Sequence, residues 1–375
     1  MKKLRAVAVK EVRQILRDPL SLVMLLGLPA FMLVLYGFAL NFDVRHVRLA
    51  VQDEDRSADS RELIATFVNS TYFDVVATPE PGDDLEALTA RRVVKAVLVI
   101  PHGYGEDLRG GRRAAVQLLL DGADSTTAST ILGYASALVA DLNSEELRRT
   151  VLSAGGREMP SPIAYEPRVW YNPELRSTQF LVPGLIGYLL MLTAVLSTAL
   201  SVVREKERGT MEQLRVAPLR TAELILGKTL PYLAISLLTA AVILVTARVL
   251  FDVRVRGSYL ALFAATLLYL IGALAFGIFI STVAESQAVA FQMGMLTSLL
   301  PAILLSGFIF QIRSMPGWLQ AVTHIVPARY YLVILRGIIL KGTGLGPYLD
   351  QMGFLALFAV FFMALASVRL AREAA

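Results

Sequence analysis

The chain has 375 residues, of which 55% are hydrophobic and only 18% are charged. This composition is too apolar for a single soluble core, so it excludes an ordinary soluble protein and predicts several membrane-spanning segments. The sequence contains no cysteine, which excludes disulfide bonds and thiolate metal sites.

The formal net charge of +5 is divided unevenly along the chain. Residues 42–178 include 15 basic and 21 acidic residues, a net charge of −6, and the remaining residues carry +11. A basic membrane part beside an acidic domain is expected when positive residues are retained on the cytoplasmic side. The basic residues flank apolar runs instead of forming one patch, which disfavours nucleic-acid binding.

The chain begins with an amphipathic segment, residues 1–18, for which we predict an interfacial helix on the cytosolic membrane surface, ended by Pro19. Residues 19–41 follow as the first predicted transmembrane helix, because Leu20–Leu40 is uncharged and long enough to cross a bilayer. A cleaved signal peptide is the alternative. The run exceeds the usual apolar length of about 7–15 residues and no A-x-A site follows closely, so we favour an uncleaved anchor.

Residues 42–178 are predicted to form a compact α/β domain inserted between the first and second spans, on the extracytoplasmic side. Runs rich in β-branched residues predict strands, and helical segments alternate with them. The predicted strands are 47–51, 73–77, 93–100 and 115–120, with a further strand at 163–171, and the predicted helices are 58–69, 83–92 and 126–152.

Five further apolar segments predict transmembrane helices 2–6 within residues 179–375. They are residues 180–203, 229–247, 257–284, 286–312 and 351–368. An even number of spans places both termini in the cytosol, where most basic clusters then lie. Arg254 and Arg256 fall on the outer side and count against this topology. No sustained internal repeat is visible, which argues against an inverted-repeat secondary transporter.

A charged segment, residues 204–228, separates two of these runs and predicts a cytosolic loop with one short helix on the membrane face. Its acidic residues come first and its basic residues recur to the end, which suits a helix dipole. Pro218 would stop this helix and Thr221 would cap the next one. Such a loop could receive a mechanical input from a cytosolic partner, and an ordinary basic loop is the alternative.

The turn before the fifth span is predicted at the same depth as this central loop. It contains Glu285 and Gln287, which form either a hydrated turn or a second contact with the partner or the loop. Within the spans, several glycines are expected to permit close helix packing. These are Gly184, Gly187, Gly272, Gly277 and Gly294.

Residues 311–347 are predicted to lie outside the membrane between the fifth and sixth spans. Pro316 and Pro327 break this segment, so short amphipathic or re-entrant helices are expected there. Three aromatic residues are expected to anchor at headgroup depth, namely Trp318, Tyr330 and Tyr331.

No catalytic constellation is visible in the sequence. Gly227-Lys228-Thr229 ends like a phosphate loop, but Ala222 stands where such a loop needs glycine, so no ATPase site is predicted in this chain. The three histidines lack ligand spacing, which makes metal binding improbable. Asp53-Glu54-Asp55 is expected to be an exposed acidic turn more than a cation site.

The residues from Glu205 to Pro218 contain the pattern E-K-E-x-G-T-x-E-x-L-x-x-x-P. This pattern resembles the signature of the type-2 ATP-binding-cassette (ABC) exporter permeases. In that family the region holds the coupling helix that docks into the ATPase subunit. The resemblance implies ATPase-coupling roles for Glu205, Glu207, Arg208, Gly209, Thr210, Glu212, Leu214 and Pro218.

Other parts of the chain resemble the same family, in particular its subgroup with a large extracytoplasmic domain. The matching residues are Lys10-Glu11, Arg17-Asp18-Pro19, Ser306-Gly307-Phe308, Pro327, Arg329, Tyr330 and Leu335-Arg336-Gly337. Gln311 departs from the family, since many relatives have proline there. The resemblance implies an outer re-entrant segment marked by Pro327, Arg329, Tyr330 and Arg336.

Together these observations predict an α-helical membrane protein with six transmembrane helices and an inserted α/β extracytoplasmic domain. The resemblance implies the permease subunit of a bacterial inner-membrane exporter for drug-like or amphipathic substrates. Separate cytosolic ATPase subunits would bind ATP and magnesium, and this chain would hold no cofactor. A second permease copy or homologue, membrane lipid and, in some relatives, a periplasmic adaptor protein are the further partners implied.

Two other classes of protein remain as alternatives. A membrane-anchored sensor would use the extracytoplasmic domain, but it needs a cytosolic output module and no segment here is long enough for one. An ion-coupled carrier or channel would have buried charges in the middle of its spans, and the six apolar runs are nearly free of them.

Overall fold

The computed structural model describes residues 2–39, 46–91, 93–122, 125–153, 171, 176–210 and 221–374. The chain divides into two compact units, a helical unit of residues 1–41 and 169–375 and a mixed unit of residues 42–168. Among the predictions, residues 163–170 of the proposed late strand lie outside the described residues, and Tyr171 lies in a bend.

The elements follow one another along the chain with the following bounds. They are α1 (Lys2–Leu16), α2 (Pro19–Ala39), β1 (Val47–Asp53), α3 (Ala58–Asn69), β2 (Phe73–Ala77), α4 (Leu85–Ala90), β3 (Ala96–Ile100), α5 (Tyr104–Arg109), β4 (Gln117–Leu120), α6 (Ser125–Ser153), α7 (Ser177–Glu207), α8 (Thr221–Phe251), α9 (Tyr259–Val283), α10 (Gln287–Leu304), α11 (Gly317–Val322), α12 (Pro327–Arg336) and α13 (Leu349–Ala374). Two wide π-helical turns occur, Met295–Leu299 within α10 and Gly337–Lys341 directly after α12.

Six helices in the described part of the chain are long and apolar enough to cross a membrane. They are α2, α7, α8, α9, α10 and α13, which correspond to the six predicted spans. The segment broken by prolines forms a pair of short helical pieces, Gly317–Ile325 and Pro327–Lys341, bent by 86°. If this bent pair is counted as a span, the number rises to 7.

Helices α7 and α9 form the centre of the helical unit. In their most apolar stretches 78% and 61% of the residues are buried, compared with 17% in α2 and 22% in α13. Helix α9 packs against α7 and α13, and α7 also packs against α2, α8 and α10. The peripheral helices therefore present much of their apolar surface outward, as expected for helices that face lipid or a second protein.

Close approach of these helices depends on small residues at the crossing points. A Cβ at Gly277 would collide with the Thr198 hydroxyl and the Val195 carbonyl oxygen, and one at Gly184 would collide with the Phe308 ring. The Thr198 hydroxyl also donates to the Leu274 carbonyl oxygen at 3.2 Å. The predicted packing role of these two glycines is confirmed.

The described part of the mixed unit contains a four-stranded sheet in the order β2-β1-β3-β4. Strand β1 is parallel to β2 and β3, whereas β4 is antiparallel to β3. Two parallel neighbours connected through helices α3 and α4 match the predicted βα alternation. Buried residues of β1, β3 and α3 form the core, in which the Phe67 and Phe73 rings lie 5.1 Å apart.

The four predicted strands and three predicted helices of this unit are present, with ends shifted by a few residues. Helix α5 was not predicted, because its six residues are too few to show a helical period. It follows Gly103, whose φ of +84° lies in the left-handed region that glycine adopts without a Cβ clash.

Candidate functional site

The charged segment after the second span continues the helix before it turns away. Helix α7 extends to Glu207, four residues beyond the predicted end of its span, and α8 begins at Thr221. Arg, Lys and Glu are good helix formers, and the basic Arg204 and Lys206 lie at the negative end of the helix dipole. The predicted loop of residues 204–228 is therefore shorter than expected.

The end of α7 has the geometry of a glycine-stopped helix. The Gly209 amide donates to the Lys206 carbonyl oxygen at 3.1 Å, and Gly209 has a φ of +69°. The Thr210 hydroxyl turns back to the Glu205 carbonyl oxygen at 3.3 Å. The side chains of Glu207 and Arg208 are exposed, as is Gly209. These three residues form an exposed tip of α7, called the inner tip below because the sequence predicts that it faces the cytosol.

Three of the predicted coupling residues, Glu212, Leu214 and Pro218, lie outside the described residues. Their assignment to the coupling site stays a prediction.

Glu205, in contrast, lies in a group of four charges, of which three are buried and the fourth, Lys10, is exposed. Lys228 of α8 binds Glu205 at 2.6 Å and Glu11 of α1 at 3.0 Å. Lys10 contacts Glu205 and lies 3.6 Å from Glu11. Glu11, Glu205 and Lys228 are 0%, 3% and 4% exposed. We refer to these four residues as the charge cluster.

The charge cluster joins α1 to both helices that flank the central segment. A Cβ at Gly227 would lie 2.8 Å from the Val7 Cβ, so α1 and α8 are nearly in backbone contact. Arg204 adds a 3.5 Å ion pair to Asp18, in the linker between α1 and α2. The amino-terminal K-E and R-D-P patterns thus meet the central motif in space.

The turn between α9 and α10 is attached to the inner tip of α7. Glu207 accepts a 2.7 Å hydrogen bond from the Gln287 amide and a second one from its side chain. Lys206 donates to the Ser281 carbonyl oxygen at 2.8 Å. Glu285 is exposed at the same turn. Of the two residues predicted here, Gln287 is the one that contacts the central motif.

At the end of the helical unit that the sequence predicts to face outward, two separated family patterns also come together. Arg336, the last residue of α12, donates to the carbonyl oxygens of Gly307 at 2.9 Å and Phe308 at 3.3 Å. Its guanidinium lies 3.9 Å from the centre of the Phe180 ring. A single arginine therefore donates to carbonyl groups in the segment just after α10 and stacks on Phe180, near the start of α7.

The predicted anchoring of Tyr330 and Tyr331 at headgroup depth is wrong, because both side chains are buried inside the protein. Tyr331 stacks on Tyr269 at 4.0 Å, and Tyr330 donates to the His324 carbonyl oxygen at 2.9 Å. Helix α12 turns this face inward against α9 and α13. Trp318, by contrast, is 71% exposed.

The other residues predicted for the outer segment begin and support α12. Pro327 is its first residue, where the missing amide hydrogen costs nothing, and Arg329 reaches back to the Thr323 hydroxyl. Beside this region lies an apolar cavity of about 600 Å³ between the second half of α10 and α11. Leu300, Phe310 and Leu319 contribute to its wall.

The carboxylates of the acidic turn after β1 accept hydrogen bonds from other residues of the mixed unit. Asp55 accepts backbone hydrogen bonds from Gly103 at 2.9 Å and Gly105 at 3.0 Å. A hydrogen bond from Ser57, followed by these two amides, holds the pKa of the Asp55 carboxyl below its usual value. Asp53 accepts from Ser60 at 2.8 Å. The turn is therefore a loop-ordering element of the mixed unit.

Comparison with known proteins decides the family. A family model described as ABC-2 family transporter protein matches residues 19–368. "Probable multidrug ABC transporter permease YbhS" of Escherichia coli (strain K12) is 32% identical over 373 residues, which cover 99% of this chain and 97% of that protein. The chain belongs to the ABC-2 transporter family.

Two further relatives from Escherichia coli (strain K12) extend the similarity of this ABC-2 chain. "Probable multidrug ABC transporter permease YbhR" is 30% identical over 336 residues, 90% of this chain and 89% of that protein. "Inner membrane transport permease YhhJ" is 28% identical over 363 residues, 94% and 92% of the two chains. The ABC-2 chain is thus a multi-pass membrane protein and the permease subunit of an ABC transporter, a class that works with ATPase partner subunits.

Sequence reasoning missed the charge cluster of this ABC-2 permease. The sequence analysis considers Lys228 only as part of the incomplete phosphate loop. A lysine near the start of an apolar run is costly to bury unless an acidic residue pairs with it. Glu11 is spaced four residues from Val7 and from Ile15, which are both 5% exposed. A glutamate in register with two apolar residues was the available signal for a buried acid.

Proposed function

We propose that this ABC-2 permease moves a drug-like or amphipathic substrate outward, using ATP hydrolysed by separate cytosolic subunits. The observation that carries the proposal is the similarity to a multidrug permease over 99% of this chain and 97% of that relative. Full-length similarity of this kind supports a shared task for the whole membrane part. The apolar surfaces of the spans suit an amphipathic cargo.

The proposed orientation places both termini in the cytosol of a bacterial cell, with the chain in its inner membrane. Basic residues support it, since α1, the central segment and the end of α13 are all rich in them. Residues 42–178 then form an extracytoplasmic domain, as in the family subgroup that the sequence resembles. Residues 311–347 form the outer re-entrant segment, for which the bent helix pair is the support.

The inner tip of α7 and the residues after it, up to Pro218, are the proposed coupling site. Three features support it: the family pattern, the exposure of Glu207, Arg208 and Gly209, and the absence of a complete phosphate loop from the sequence. The ATPase subunits hold ATP and magnesium, and the permease holds no cofactor. Gln287, bound to Glu207, would pass a displacement of this tip to the α9–α10 turn.

Two copies of the permease, or this chain and a homologue, form the proposed transport unit. The largely exposed apolar faces of α2, α8, α10 and α13 offer surface for such a contact and for lipid. A periplasmic adaptor protein is a further proposed partner of the outer face. The sensor alternative has no support from the relatives, which carry transporter names.

The proposal is tested by reconstituting the permease with its ATPase subunit, identified by co-purification from the native host, and following a fluorescent amphipathic dye. We expect ATP-dependent dye movement towards the face that carries residues 42–178, and no movement with an ATPase that binds but cannot hydrolyse ATP. Glu212→Arg is expected to abolish transport and to weaken ATPase association, because it reverses a charge in the coupling motif. Unaltered association and transport in Glu212→Arg would remove the coupling assignment.

A further inference from the structure

Helix α1 is packed into the protein by one face and exposed on the other. Val7, Glu11 and Ile15, spaced four residues apart, are all at most 5% exposed, whereas Val12 and Leu16 are 41% and 66% exposed. The buried face contacts α8, which it approaches most closely at Gly227. An interfacial helix that only rested on lipid would have no reason to bury a glutamate.

Burying charged side chains between α1 and α8 costs free energy unless ion pairs and hydrogen bonds replace their lost hydration. Each ion that leaves water loses several kcal/mol of hydration, so a buried ion pair is weak support for stability and better explained by positional specificity. In the charge cluster two acids and two bases balance, with Lys228 between Glu11 and Glu205 at 3.0 and 2.6 Å. Apolar side chains would fill this space without fixing the register of three helices.

The location of the charge cluster decides which motion it can transmit. Glu205 is two residues before the end of α7, and Lys228 is in the second turn of α8. These are the two helices that the central segment connects, so a force on that segment acts on both. Through Glu11 and Lys10, α1 is attached to both of them.

We propose that the charge cluster keeps α1 in register with the inner ends of α7 and α8, so that the three helices move as one body when the ATPase subunits act. Lys10, Glu11, Glu205 and Lys228 are then positioning residues for transport. Helix α1 transmits the displacement to α2, which begins three residues after α1 ends. This inference rests on the proposed function and adds to it a third moving helix.

The first test changes the balance of charge inside the cluster. Lys228→Met leaves Glu11 and Glu205 close together with Lys10 as the remaining cation of the cluster, and we expect substrate moved per ATP hydrolysed to fall by roughly two- to thirtyfold. Adding Glu11→Gln leaves the Glu205–Lys10 pair balanced and is expected to restore most of that ratio. Asp252→Asn, which breaks an exposed ion pair with Arg248 after α8 has crossed the unit, is the matched control and should leave the ratio unchanged.

The readout separates a positioning role from a purely structural one. The amount of folded protein and its thermal stability are measured in parallel for each variant. A purely structural role would lower transport and ATP hydrolysis together, so their ratio would stay unchanged. An unchanged ratio of transport to hydrolysis in Lys228→Met, or no recovery in the double variant, would overturn the inference. If the wild type itself shows no ATP-dependent transport, the proposed function fails first and the inference fails with it.

The second test fixes the contact covalently, which the absence of native cysteines makes possible. Val7→Cys with Gly227→Cys places two thiols where α1 and α8 are closest, and a small separation of the helices brings the Cβ atoms to the spacing of about 3.5–4.5 Å that a disulfide needs. If α1 and α8 move together, the oxidised protein should transport as well as the reduced one. Transport that stops on oxidation and returns on reduction would show relative movement and contradict the inference.

Discussion

Arg336 shows how one side chain can hold together segments that are distant in sequence. Its guanidinium donates to the carbonyl oxygens of Gly307 and Phe308 and lies on the Phe180 ring. Helix α10 ends at Leu304, and Gly307, with a φ of +80°, lies in the irregular segment that follows it. Arg336 therefore supplies hydrogen-bond donors to two carbonyl groups that lie outside any regular helix.

At this residue scale, Arg336→Met should destabilise the helical unit. Methionine keeps much of the volume but donates no hydrogen bond, and bonds involving a charged donor are worth about 2 kcal/mol. We expect a lower unfolding temperature in detergent, measured by intrinsic fluorescence. Arg313→Met removes an exposed arginine and is the control, with little expected change. Equal stability of the two variants would contradict the role given to Arg336.

At the scale of elements, the central crossing of α7 and α9 depends on the absence of a side chain at Gly277. The Val195 carbonyl oxygen is backbone, so it cannot rotate away from an added Cβ as a flexible side chain would. The two helices would have to separate along a contact that includes the Thr198–Leu274 hydrogen bond. This crossing is the most buried part of the helical unit.

Gly277→Val should therefore destabilise the protein by about 1–3 kcal/mol, the usual cost of overpacking a well-filled core. Gly353→Val in α13 is the matched control, since no atom lies within 4 Å of its added Cβ. The measurement is the midpoint of unfolding in mixed detergent for both variants. A Gly277→Val protein as stable as the Gly353→Val protein would show that the crossing is not tightly packed.

Elements were predictable from the sequence where one physical signal dominates. Long uncharged runs identified the spans, and Pro316 and Pro327 identified the bent outer segment. Helix ends were less predictable, since the charged residues after Val203 continue α7 by four residues. The charge cluster was hidden because its contacts join residues about 200 positions apart, with separations of 195 and 217 residues.

The tyrosines of α12 also show that contacts between distant parts of the chain cannot be predicted from one segment of sequence. An aromatic residue near a membrane surface suits either a headgroup anchor or a packed core. The choice for Tyr330 and Tyr331 depends on which face of α12 meets α9 and α13, and these contacts come from distant parts of the chain. Periodicity within one segment carries no information on that choice.

At the scale of the whole molecule, the proposed topology makes a direct prediction for the mixed unit. Asp121→Cys and Glu145→Cys should react with a membrane-impermeant maleimide added outside the cell membrane, because residues 42–178 are proposed to be extracytoplasmic. Each protein would carry a single cysteine, since the native chain has none. Arg208→Cys is the opposite control and should react only in inverted vesicles. Labelling of the first two sites from the cytosol would overturn the topology.

The central claim is that the inner tip of α7 is where the permease meets its ATPase. The most direct measurement is cross-linking of single-cysteine permeases to the co-expressed ATPase subunit with a short bifunctional reagent. Arg208→Cys, at the exposed tip, is expected to give a permease–ATPase product, and Arg313→Cys, in the outer segment, is expected to give none. A product from Arg313→Cys, or none from Arg208→Cys in a complex that still hydrolyses ATP and transports, would contradict the claim.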